Sequence, residues 1–138
     1  RTPVDDSRGS IVCTAQLKGF AFEYMTAGRV VVLGDPGPWI CAGMTGGVVY
    51  LRLAPCLGLD EGALRRRIAR SAKVRISPID ERGEQDIREL LGEYAGYLRR
   101  SGQEADALEV ERLAAACREH FLAVRAAAEQ VDPHVATE

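Results

Sequence analysis

A repeat of nineteen residues limits this chain more than any other feature. Gly9, Gly28 and Gly47 stand nineteen apart, and each is followed within two residues by a β-branched pair: Ile11–Val12, Val30–Val31 and Val48–Val49. "MTAGRVVVLG" from Met25 is nearly restated as "MTGGVVYLRL" from Met44. Strand and corner recurring at a fixed period are the signature of a coil that climbs, rising one strand spacing of about 4.8 Å per turn. Like then stacks on like, with Met25 over Met44 and Gly28 over Gly47. The competing β-meander wants two-residue Asn-Gly or Asp-Gly loops, and neither dipeptide occurs. The repeat therefore predicts a parallel β-helix of about three coils. Its corners are assigned to Gly9, Gly28, Gly34, Gly37, Gly43, Gly46 and Gly47, as structural positions. "GDPGP", Gly34 to Pro38, is a forced turn, because two prolines fix φ and neither fits a central strand.

Composition changes near Ala54-Pro55, from Gly and Val to Ala, Leu, Arg and Glu. The fold class expected is α+β, with a β-helix part over residues 1–54 and a helical C-terminal region over 55–138. Asp60 is placed to cap a short helix through about Arg70, and "KVRISPI" reads as extended up to Pro78. "DERGEQD", Asp80 to Asp86, reads as an exposed acidic loop, with Asp86 and Glu89 opening the next helix. That helix carries an apolar stripe of Ile87, Leu90, Leu91, Tyr94 and Leu98, and Ser101-Gly102 ends it. A last helix is expected from about Gln103, with Val110, Leu113, Cys117, Phe121 and Val124 on one side. The open N-terminal end of such a coil has only residues 1–8 to cover it, which are polar and short, so a partner is expected near Gly9 to Thr14.

The chemistry that can be excluded is substantial. A net charge of −2 argues against a general nucleic-acid binder. No run approaches the roughly 18 apolar residues of a membrane span, and residues 1–10 are too polar for a signal peptide. A start at Arg1 rather than Met suggests a processed or shortened chain. Cys13, Cys41, Cys56 and Cys117 lack disulfide-framework or metal-ligand spacing and read as reduced, partly buried hydrophobes of a cytoplasmic protein. "GDPGPWICAGMTGG" precedes a strand and lacks Gly-Lys-Ser/Thr, so it does not read as a nucleotide loop. His120 and His134 have no ligand set beside them, and "RRRIAR", Arg65 to Arg70, reads as a solvated helix face. No nucleophile sits beside a base. No catalytic, cofactor-binding or metal residue is assigned, and no cofactor is expected.

The segment from Glu23 to Leu53 resembles the glycine-repeat (GXGXG) domain of the glutamate synthase large subunit. Glu23, Tyr24, Met25, Thr26, Gly28, Leu33, Gly34, Gly37, Ala42, Gly43, Met44, Gly46 and Gly47 fit that pattern. Trp39 stands near a family Asn, and Ala27 replaces a family Gly. The helical tail, with "ELLGEYAGYL" and "REHFLAV", resembles that of single-domain members. The resemblance implies a right-handed parallel β-helix and a structural, coupling role in glutamate biosynthesis. It implies glutaminase-type and flavin synthase-type domains or subunits as partners. Neither an N-terminal Cys nucleophile nor a three-cysteine iron–sulfur motif is present, so those activities do not carry over. The alternatives are a small ligand-binding or enzymatic module using the coil's groove, and a homo-oligomeric scaffold joined through the open end.

Overall fold

In the computed structural model, which describes residues 4–6, 10–13, 17 and 21–127, one mixed sheet organises the chain. Its strands are β1 (Val4–Asp6), β2 (Ser10–Cys13), β3 (Arg29–Val32), β4 (Val48–Arg52), β5 (Val74–Pro78) and β6 (Phe121–Ala126). Their spatial order is β1-β2-β3-β4-β6-β5. The helices are α1 (Glu61–Arg67), α2 (Glu81–Arg100), α3 (Glu104–Ala115) and the single turn α4 (Cys117–His120).

The nineteen-residue period is the register of the parallel core. Ser10 pairs with Arg29 and Arg29 with Val48, and the ladder continues through Val31 and Tyr50. The corners follow suit, with Thr45 N–H donating to Met25 O at 2.8 Å and Val48 N–H to Gly28 O at 3.0 Å. The expected parallel β-helix is nevertheless overturned. β4 is flanked not by a further coil but by β6, which runs antiparallel and pairs in turn with antiparallel β5. On the other side, β1 pairs antiparallel with β2, so the edge expected to be open carries the chain's own hairpin.

The reason lies in the unbroken apolar runs. In a strand, successive side chains point to opposite faces, so "RVVVL" and "VVYL" make both faces of the sheet apolar. Both must then be covered, as in a sheet buried between layers. Val31, Tyr50, Phe121 and Ala123 pack with Ile87, Leu91, Leu98 and Leu113 of α2 and α3. Val30, Val32, Val49, Leu51, Leu122 and Val124 form the opposite layer with Ile40, Cys41, Met44 and Leu64. A solenoid would leave one of these faces in water. What stands is α+β: a mixed sheet with helices. Strands from both sides of residues 54 and 55 share it.

Three local expectations also change. The last helix stops at Ala115, and Phe121 to Ala126 form a central strand, with Phe121 and Val124 on opposite faces. Helix α2 starts at Glu81, because Asp80 caps it by accepting from Gly83 N–H at 2.8 Å. The stretch expected as an acidic loop is therefore its first turns, and Asp86 lies inside it, buried. Ser101-Gly102 does end α2. Gly102, at φ 77°, directs Gln103 N–H to Leu98 O and its own N–H to Arg99 O, the two bonds of a Schellman cap.

Candidate functional site

The repeat motif builds a surface of unusual backbone. Phe22, Tyr24, Trp39 and Cys41 all have φ between 57° and 67°. Non-glycine residues in that left-handed region cost roughly 1–2 kcal/mol each, and such strain gathers at functional sites. Of the predicted corners, Gly28, Gly37, Gly43 and Gly47 have positive φ, whereas Gly34 and Gly46 do not, and Gly9 lies outside the described residues. Two glycines are required by close approach as well. A Cβ on Gly43 would fall 2.5 Å from the Tyr24 ring, and one on Gly47 would fall 2.9 Å from Gly28 O.

This surface is held from beneath. Asp35 accepts from Gly37 N–H at 2.8 Å and takes both Nε and an Nη of Arg67 at 2.9 Å, tying "GDPGP" to α1. The Arg67 hydrogen bonds hold the Asp35 carboxyl below its ordinary range. Ile40 is clamped by Arg67 O and Ala69 N–H, each at 2.9 Å. Above this support lies an open groove of about 500 Å³, lined by Glu23, Trp39, Ala42, Ala69, Arg70 and Ser71. Tyr24 is 74% exposed and Trp39 53% exposed beside it. Trp39, near the position of a family Asn, holds a left-handed backbone that Asn tolerates better.

A second polar centre joins helix to sheet. Tyr50, fully buried in β4, donates its hydroxyl to Asp86 Oδ2 at 2.6 Å. Asp86 Oδ1 accepts from Arg29 at 3.0 Å, and Arg29 also reaches Glu89 at 2.7 Å. The Arg125 guanidinium lies 6.0 Å over the Tyr50 ring. Burial, then the bond to Asp86, pushes the Tyr50 phenol up, so it stays protonated. A phenol sealed in this way orients α2 on the sheet rather than trading protons with a substrate. Sequence reading missed this centre, although Asp86 does fall on the stripe of Ile87, Leu90, Leu91 and Tyr94. A carboxylate on an apolar stripe was the available signal.

Among the described residues, no cluster of His, Cys, Asp and Glu could hold a metal ion, and no helix is long and apolar enough to cross a membrane. Among the described residues, Cys13, Cys41 and Cys117 are buried and Cys56 is exposed, and none of the four is in a disulfide. His120 contributes a backbone carbonyl that accepts from Leu53 N–H, and His134 lies outside the described residues.

The family model of the GXGXG motif matches residues 1–122. The large chain of the NADPH glutamate synthase of Bacillus subtilis (strain 168) is 39% identical over 75 residues, which is 54% of this chain and 5% of that protein. The ferredoxin-dependent glutamate synthase of Cyanidium caldarium is 40% identical over 67 residues, 45% of this chain and 4% of that one. The chain thus spans a small fraction of the length of these relatives. No solved structure matches it.

Proposed function

The chain belongs to the GXGXG motif family and is homologous to a segment of glutamate synthases, and from that premise we propose that it is a non-catalytic structural and coupling unit of a glutamate synthase-type assembly in the cytoplasm. Its partners on this reading are glutaminase-type and flavin synthase-type domains or subunits. One observation carries the proposal. The motif segment shapes a surface on which Tyr24, a matching residue, and Trp39, a departure from the family pattern, stand exposed on a strained backbone that Asp35 and α1 brace. Exposed Tyr and Trp with an Arg nearby are the residue types that dominate binding at protein interfaces. The glycines, in turn, serve close backbone packing. Four cysteines with no disulfide among the described residues suit a reducing compartment.

The test is affinity purification of the tagged chain from its source cell, with Trp39→Ala and Tyr24→Ala beside the unaltered chain. Glutaminase-type and flavin-containing chains should co-purify with the unaltered chain and be lost from the variants, while the thermal midpoint hardly moves. Glutamine hydrolysis or flavin binding by the isolated chain would overturn the non-catalytic reading. Retention of the partners by both variants would move the contact surface elsewhere.

A further inference from the structure

β5 is the last strand at its side of the sheet, and β6 is its only strand partner among the described residues. Ala127 N–H donates to Lys73 O at 2.8 Å, so Arg75–Arg125 and Ser77–Ala123 are the next hydrogen-bonded pairs of this antiparallel ladder. Val74 and Ile76 therefore turn their N–H and C=O groups away from β6, and no hydrogen bond meets those groups among the described residues. Such an edge is a template for another strand. Alternation along the strand gives it two unlike faces. On one, Val74 and Ile76 are half-buried with Ile68 and Ala72, packed against the layer that holds Leu64, Leu122 and Val124. On the other stand Lys73 and Arg75, both exposed and neither with a carboxylate partner among the described residues.

Charge selects the occupant. Arg75 lies directly opposite Arg125, and like charges so placed destabilise a sheet. Asp80 is already engaged, by Arg125 at 3.7 Å and by Gly83 N–H at 2.8 Å. A second copy of the chain fits badly. Every antiparallel register of β5 on itself that uses Val74 or Ile76 either sets Lys73 or Arg75 against a like charge or brings in Pro78, which has no N–H to give. A strand with carboxylates opposite Lys73 and Arg75, and apolar side chains opposite Val74 and Ile76, satisfies both faces and the backbone together. We propose that the free edge of β5 is a docking site for an extended segment of a partner protein in which acidic and apolar residues alternate, added antiparallel as a further strand of the sheet. The groups involved are not those that line the Trp39 groove, so the inference does not depend on the coupling role.

NMR titration of the intact chain decides it, with the capped peptide TVEVEVT as the probe and the same peptide with lysine in place of glutamate beside it. The amides of Val74 and Ile76 should shift saturably at millimolar peptide or below. The lysine peptide should bind about tenfold or more weakly, because its charges face Lys73 and Arg75. Arg75→Glu, at an exposed position, should reverse that preference. Ile76→Pro removes only a donor that faces away from β6, a change that edge strands tolerate, and it should abolish binding. Should Ile76→Pro fail to fold, a probe peptide N-methylated at its valines tests the backbone bonds instead and should not bind. No saturable shift up to about 5 mM peptide, equal binding of the lysine peptide, or binding of the N-methylated peptide overturns the proposal. It is overturned equally by a dimer in sedimentation that Ile76→Pro abolishes, which gives the edge to a second copy. Binding seen only after residues 128–138 are removed overturns it too, and gives the edge to the chain's own C-terminal segment.

Discussion

At Gly47 the chain turns into β4 with φ 83°, and a Cβ there would meet the Met25 methyl at 2.7 Å and the Ala27 carbonyl carbon at 2.9 Å. Gly58 has nearly the same backbone, φ 79°, but open space around it. The pair separates conformational strain from steric contact. Gly58→Ala should cost about 1 kcal/mol, from the left-handed backbone alone. Gly47→Ala should cost about 3 kcal/mol, because overpacking against backbone adds to the strain. Urea unfolding of both variants checks this, and equal losses would show that the corner packing is loose. Cys41 makes a second residue-scale case. Burial pushes its thiol up to about 12. Below the unfolded value, near pH 9, both states keep the proton and its contribution to stability is intact. As pH rises from about 9 toward 12, the unfolded chain ionises while the folded one does not, and stability falls. Urea midpoints measured between pH 8 and 11 should decline, and the decline should be shallower in Cys41→Ala. The left-handed backbones of Tyr24 and Trp39 were not legible beforehand, because Gly-rich context announces a turn without saying which neighbour is forced into it.

Among the elements, α2 carries the clearest mismatch between sequence pattern and structure. Its apolar stripe was readable from Ile87 to Leu98, since a 3.6-residue period survives inside one helix. Its start was not, because the capping-box pattern of Asp86 and Glu89 placed the opening at Asp86, whereas Asp80 makes the cap. Pro78 ends β5, and Asp80 lies two residues on, with its carboxylate on Gly83 N–H. Asp86 was thereby left inside the helix, where Tyr50 and Arg29 satisfy it. Tyr50→Phe should cost about 2 kcal/mol, the usual worth of a hydrogen bond to a charged group. Asp86→Ala should cost more, about 3 kcal/mol, since Arg29 loses a carboxylate partner and Tyr50 loses its acceptor in the core. A double-mutant cycle by urea denaturation reads the coupling, and additive effects would mean that the bond does not join helix to sheet.

For the whole molecule, the sheet is what binds the two compositional halves together. β4 of the glycine-rich half pairs with β6, whose other edge holds β5. The apolar layers on both faces draw side chains from both halves. The chain should therefore unfold in one transition, with near-UV and far-UV circular dichroism coincident. A chain ending at residue 54 should lack cooperative unfolding, because β4 would lose β6 from one edge and the sheet would lose the α2–α3 cover. Two separated transitions, or a folded fragment, would contradict this.

The sequence by itself determined what depends on near neighbours and on self-similarity. The period of nineteen set the ladder from Ser10 through Arg29 to Val48, because equal segments stack in equal environments. The cap at Asp60, the extended run to Pro78 and the break at Ser101-Gly102 were equally local. The tertiary structure alone decided whether the stacked strands became a solenoid or a sheet. That choice depends on what covers the second apolar face, and the covering residues lie far along the chain. "FLAVRA" shows the same limit: six apolar-rich residues following a helical stretch fit helix or strand equally well. Only the waiting edges of β4 and β5, tens of residues away, make strand the lower-energy answer, because there the segment has a ladder on each edge and apolar partners on both faces.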